Sequence, residues 1–215
     1  MENLIQTLAI AALPVIFAIT LHEAAHGYVA RHFGDPTAWQ AGRITLNPLK
    51  HIDMVGTVLV PALIYWQTDG AFLFGWAKPV PVDFGRLRKP KQDMLWVAAA
   101  GPGANLLMAL AWAAILKLAV LMPDTLYSLP LAEMARIGIT VNGVLMLLNL
   151  LPIPPLDGGR IAVSLLPPAL AWKFARIEPY GFIILLALMF LGGLNLLLTP
   201  LMRTFLFFIK NLFSL

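Results

Sequence analysis

The chain has 215 residues, 60% of them apolar and 12% charged, with a mean hydropathy of +0.80 and a formal net charge of +4. That composition excludes an ordinary soluble enzyme and leaves room for membrane crossings with no soluble domain of usual size between them. Cysteine is absent, so any metal must rest on nitrogen and oxygen ligands, and the small positive charge, spread over short loops, needs no nucleic-acid partner.

The first apolar run, Leu4 to His32, would reach about 40 Å as a helix, ample for a bilayer. Its first positive side chain is Arg31, so it lacks the basic start of a secretory signal and reads as a retained span. Within it stands His22-Glu23-Ala24-Ala25-His26. Two imidazoles one helical turn apart share a face, about 5–6 Å between Cβ atoms. There they can share one zinc ion, with the glutamate between them acting on a metal-held water. Two histidines and a glutamate are costly in hydrocarbon and are kept there for function.

Met54 to Gln67 is apolar but short and contains Pro61. Leu73 to Trp76 and Pro79 to Val82 read as extended, since prolines and β-formers dominate. Asp93 to Met122 is the second long apolar segment, Ala135 to Leu151 the third and Pro179 to Leu198 the fourth. Leu201 to Leu215, with Arg203 and Lys210 on one side, reads as an amphipathic helix at the interface, with a short sixth span as the alternative. Arg31, Arg43 and Lys50, then Lys78, Arg86, Arg88, Lys89 and Lys91, then Arg160, Lys173 and Arg176 fall in the loops expected to be cytoplasmic, while Met122 to Ala135 carries no Lys or Arg. The positive-inside rule then puts the N-terminus outside. It also requires 54–67 either to be re-entrant or half-buried, the reading preferred here, or to cross and be followed by a crossing back within 70–82. The expectation is a single all-α polytopic membrane domain over 1–215: a bundle of about five to six membrane segments, with a small re-entrant or extended element between the first two long spans.

Counting inward from Arg31, His22 lies about 14 Å and His26 about 7 Å deep at 1.5 Å per residue, nearer the cytoplasmic face. A catalytic zinc usually takes three protein ligands. The best candidate for the third is Asp157, which follows Pro152, Pro154 and Pro155 and precedes Gly158 and Gly159 at the end of an inward-running span. Broken helices of this kind commonly carry ion sites. His51 and Asp53 are rivals, more naturally capping or bracing the next element. Gly101, Gly103 and Asn105 read as close helix packing, Asn142 and Asn195 as polar or packing residues, and Trp39, Trp66, Trp76, Trp96 and Trp172 as interfacial anchors.

HEAAH on the first span, Gly101-Pro102-Gly103-Ala104-Asn105 on a middle one and Asn149-Leu-Leu-Pro152…Leu156-Asp157-Gly158-Gly159 on a later one resemble, in that order, the site-2 protease family of intramembrane zinc metalloproteases. The small bacterial members, without an inserted peptide-binding domain, are the most similar. The resemblance implies one catalytic zinc held by His22, His26 and Asp157, with Glu23 as general base and Asn149 polarising the scissile carbonyl or holding the substrate. It implies single-span membrane proteins as substrates, cut within or near the lipid bilayer of a bacterial inner membrane. An extended edge at 42–46 or 72–82 would accept an unwound substrate strand. The rival expectations are a metal-ion transporter and a non-catalytic protein that only binds membrane helices.

Overall fold

The first apolar run folds into one helix, α1 (Glu2–His32), which carries Pro14 without breaking. The computed structural model describes residues 2–67, 75–122 and 125–215, with the backbone alone at 2–8 and 65. After α1 the chain turns at Gly34, whose φ is 109°, into the short α2 (Thr37–Gln40). The last carbonyls of a helix have no partner within it. Here Phe33 O accepts from the Arg88 amide and His32 O from the Arg88 guanidinium, each at 3.0 Å. Asp35 is fully buried at the turn. It accepts the Thr37 amide (3.0 Å), the Asp83 amide (2.7 Å) and the Thr37 hydroxyl. Burial pushes its carboxyl up, but these donors and the Arg86 charge outweigh burial and hold it below the usual carboxylate range.

Asp53 then caps a wide turn, Met54–Leu59, accepting the Val55 amide (3.0 Å) and the Gly56 amide (2.7 Å). The turn runs into α3 (Val60–Gln67). Six and eight residues rise about 21 Å together, short of the roughly 30 Å of hydrocarbon a crossing needs. Residues 75–82 follow as extended, irregular backbone, and no strand forms among the described residues. Of the extended stretch expected at Leu73 to Trp76, the first two residues lie outside the described ones.

Two long helices come next, α4 (Pro90–Leu121) and α5 (Ser128–Asn149). Their seam is lined by Ala109, Ala113, Ala119, Ala132 and Ala135, with Trp112, Leu116, Ile139 and Met146 interleaved. Gly138 lets α5 press on the Trp112 indole, since a Cβ there would stand 2.4 Å from the ring. Without a hydrophobic driving force in lipid, such small-residue seams bring helices close enough to pack. The chain then folds back through residues 150–156 into α6 (Asp157–Leu165), α7 (Pro168–Ala175), α8 (Gly181–Phe190) and α9 (Gly193–Phe213). Phe205 and Ile209 of α9 enter the α4–α5 core. Lys117 Nζ donates to Ser214 O at 2.8 Å, so α9 ends beside the end of α4.

The molecule is an all-α polytopic membrane protein. Among the described residues four helices are long and apolar enough to cross a membrane: Ala9–His32, Pro90–Leu121, Ser128–Asn149 and Gly193–Phe213. That is fewer than the five to six segments expected, and the C-terminal quarter accounts for the difference. The fourth apolar run does not form one span from Pro179 to Leu198. It breaks at Gly192, which takes the left-handed φ of 76° that glycine adopts without steric cost. The ten residues of α8 rise about 15 Å and cannot cross alone. The tail expected to lie at the interface is instead the second half of α9, a helix that continues through Pro200.

Candidate metal centre

HExxH on an unbroken helix does what its spacing predicts. The His22 and His26 ring centroids lie 4.7 Å apart, edge to face at 83°, with their Nε2 atoms 3.1 Å apart. Each Nδ1 turns the other way, toward α4. His26 Nδ1 meets the Val97 carbonyl at 2.7 Å and His22 Nδ1 meets Asn105 Oδ1 at 2.6 Å. A carbonyl oxygen only accepts, so both Nδ1 atoms carry a hydrogen, and in the neutral rings, the form that binds metal, both Nε2 lone pairs face inward.

Asp157, the first residue of α6, completes the group. Its Oδ2 lies 3.3 Å from each Nε2. The three side chains are 9–12% exposed, and Asp157 Oδ2 is buried with no hydrogen-bond partner. Three acceptors therefore converge with no hydrogen between them. Such an arrangement is costly unless a cation sits among them. The triangle's edges, 3.1, 3.3 and 3.3 Å, fit a tetrahedral zinc, whose bonds of about 2.0–2.1 Å set ligand atoms about 3.3 Å apart. Among the described residues this is the one group of three or more His and acidic side chains able to share a metal.

Close backbone approach makes the cluster possible. A Cβ on Gly101 would stand 2.4 Å from His26 Nε2 and 2.6 Å from His22 Nε2. Gly101 thus packs on the imidazole pair rather than on another helix's backbone. Gly158 and Gly159, expected to free the chain, are helical instead. Their missing side chains let the first turn of α6 lie on the backbone of Leu150, Leu151 and Pro154, within 2.3–2.5 Å of where a Cβ would be.

Glu23 faces a cavity of about 220 Å³ lined also by His22, His26, Asp157, Val80 and Asn149. Its Oε2 accepts the Val80 amide at 2.8 Å. Asn149 ends α5, and its amide donates to Leu145 O at 3.0 Å. His51 and Asp53 stand apart from the cluster. His51 is buried, with Nε2 3.0 Å from Thr45 O, and Asp53 is the cap already described.

Residues 75–82 do not offer a free strand edge. Trp76 N–H donates to Gly56 O (3.0 Å), Lys78 N–H to His51 O (2.9 Å) and Val80 N–H to Glu23. Arg43, 8% exposed, donates to Lys78 O at 2.8 Å and to Pro79 O at 3.3 Å. Arg43, read from sequence only as a topology charge, is thus a buried brace. Asn105, expected to serve close helix packing, and Asn142, expected to pack or to form a polar pair, are both 0% exposed and bond to each other and toward the cluster. The available signal was an asparagine in the middle of an apolar helix, whose donors and acceptor must all be met.

The chain is 42% identical over 179 residues to the Bacillus subtilis protein named "Putative zinc metalloprotease YwhC", covering 82% of this chain and 78% of that one. It is 30% identical over 180 residues to Rip2 of Mycolicibacterium smegmatis, which carries the same description, and 27% identical to Rip2 of Mycobacterium tuberculosis. Both matches cover 84% of this chain and 66% of the relative. No family profile and no solved structure matches the chain.

Proposed function

The chain belongs to the site-2 protease family of zinc metalloproteases, and from that premise we propose that it is an intramembrane endopeptidase. It hydrolyses a peptide bond in or near a transmembrane helix of a single-span membrane protein. The observation that carries this reading is the triangle of acceptors, with Asp157 Oδ2 buried and unpartnered, in one cavity with Glu23. His22, His26 and Asp157 hold the zinc. A zinc ion held there would supply an acidified water, with a pKa of about 7, and an electrophile for the carbonyl.

The chain's own groups do the rest. Glu23 accepts the proton of the attacking water and delivers it to the departing amine. The Val80 amide fixes Oε2 of Glu23, which leaves Oε1 to handle the proton. Asn149 spends one amide hydrogen on Leu145 O and has a second to offer a developing oxyanion. The substrate helix unwinds alongside residues 75–82, the cavity wall formed by Pro79, Val80 and Val82. In this reading the site lies nearer the cytoplasmic face of a bacterial cell membrane with the N-terminus outside, an orientation the basic loops support.

The test uses purified protein in vesicles with a single-span peptide. Cleavage is expected, and chelator stops it. Glu23→Gln retains zinc and lowers the rate by at least about a hundredfold. Undiminished cleavage by Glu23→Gln overturns the assignment, and zinc crossing the vesicle with no peptide cut favours the transporter.

A further inference from the structure

Asn105 and Asn142 link α1, α4 and α5 through a line of hydrogen bonds that leads to a metal ligand. Asn142 Nδ2 meets Gly138 O at 2.8 Å. Asn142 Oδ1 meets Asn105 Nδ2 at 2.9 Å, and the same Nδ2 meets Ala18 O at 3.1 Å. Asn105 Oδ1 faces His22 Nδ1 at 2.6 Å. Both amides are 0% exposed, so water cannot substitute for any link.

The line has only one direction. Gly138 O and Ala18 O are backbone carbonyls and can only accept. The first forces Asn142 to present its amide nitrogen to Gly138 and its oxygen to Asn105. The second forces Asn105 to present its nitrogen to Ala18 and Asn142. What remains for His22 is an oxygen. An oxygen there requires a hydrogen on Nδ1, so the neutral, metal-binding form of His22 is the Nδ1–H tautomer with the Nε2 lone pair toward Asp157.

We propose that Asn105 is a positioning residue of the metal centre, and that Asn142 acts through it: the pair fixes the tautomer and ring orientation of His22. The proposal rests on the reading of His22 as a zinc ligand. A second partner on the far nitrogen of a ligating histidine is the usual means of setting its basicity and aim. Here a neutral amide replaces the commoner carboxylate, which avoids burying a further charge in hydrocarbon. His26 is served by the Val97 carbonyl alone. The two ligands are therefore oriented by different means, and only the His22 arm depends on side chains that mutation can remove.

The experiment measures the zinc affinity of the full-length purified protein by chelator competition. The absorption spectrum of the cobalt-substituted form and the melting temperature of the metal-free protein are recorded alongside. Asn105→Leu should weaken zinc binding about 10- to 100-fold and change the cobalt spectrum. Asn142→Leu, which touches no ligand, should weaken it in the same direction by less. A purely structural role would lower the melting temperature of metal-free protein while folded protein kept wild-type affinity and spectrum, and that result overturns the proposal. If Asn105→Leu fails to fold, Asn142→Leu decides alone: wild-type affinity and spectrum reject the relay. His22→Ala separates the two levels. Loss of zinc in His22→Ala with none in the asparagine variants rejects only the relay, whereas zinc retained in His22→Ala rejects the ligand assignment beneath it.

Discussion

His22 and His26 sit on one unbroken helix and lean on another, whereas Glu23, from the same α1, reaches across the cavity to backbone with no regular structure. On the α4 side each Nδ1 has an acceptor, and Gly101 leaves open the space beside the imidazoles that a Cβ would fill. On the other side residues 75–82 are held by donors and acceptors from the segment between α1 and α3, namely Gly56, His51 and Arg43, and by Glu23 of α1. Under the proposed function the difference separates two tasks. Metal ligands must stay within a few tenths of an ångström of one geometry, and paired helices supply that. The wall that meets a substrate backbone must accept many sequences, and an irregular segment braced from behind can do so.

The largest effect should come from filling the helix contact. Gly101→Val places carbon atoms where the imidazoles stand. Zinc affinity should fall more than about tenfold although helix propensity alone favours replacing glycine. Chelator competition measures it, and wild-type affinity would mean that α4 does not press on the pair. A smaller, different effect is expected opposite. Val80→Pro removes the amide that holds Glu23 Oε2. A hydrogen bond to a charged group is worth about 1.5–3 kcal/mol, so kcat should drop on the order of tenfold with zinc content unchanged. Zinc lost in Val80→Pro would show that the two sides are not independent. The smallest effect concerns the turn that joins them. Asp35 is held below its ordinary value by Thr37 and Asp83. Its contribution to stability is complete above the unfolded carboxylate pKa of about 3.9 and is lost as pH falls through the lower folded value. Asp35→Asn should flatten the decline in melting temperature below about pH 4, and an unchanged profile would remove Asp35 from the account.

Much of this was legible in the residues, for reasons that differ by region. HExxH specifies its own geometry, because two side chains four apart on a helix can meet only one way. Asp157 stood out because few acidic groups occur in so apolar a chain. The relay through Asn105 and Asn142 was not legible, since which asparagine faces which histidine depends on the rotation of α4 and α5. Arg43 was hidden by its company: among loop cations, nothing local marks the one that is buried. The C-terminal quarter misled because apolar runs on both sides of Gly192 and Gly193 look continuous, and Pro200 suggests an end where none occurs. A single left-handed glycine there moves the helix boundary and turns an expected interfacial tail into half of a span.

The central claim is that His22, His26 and Asp157 together hold one zinc ion. Metal analysis of the purified wild-type protein beside Asp157→Ala tests it most directly. The account predicts one zinc per wild-type chain and a loss to near background in the variant. No zinc in the wild type, or equal zinc in both, would contradict it.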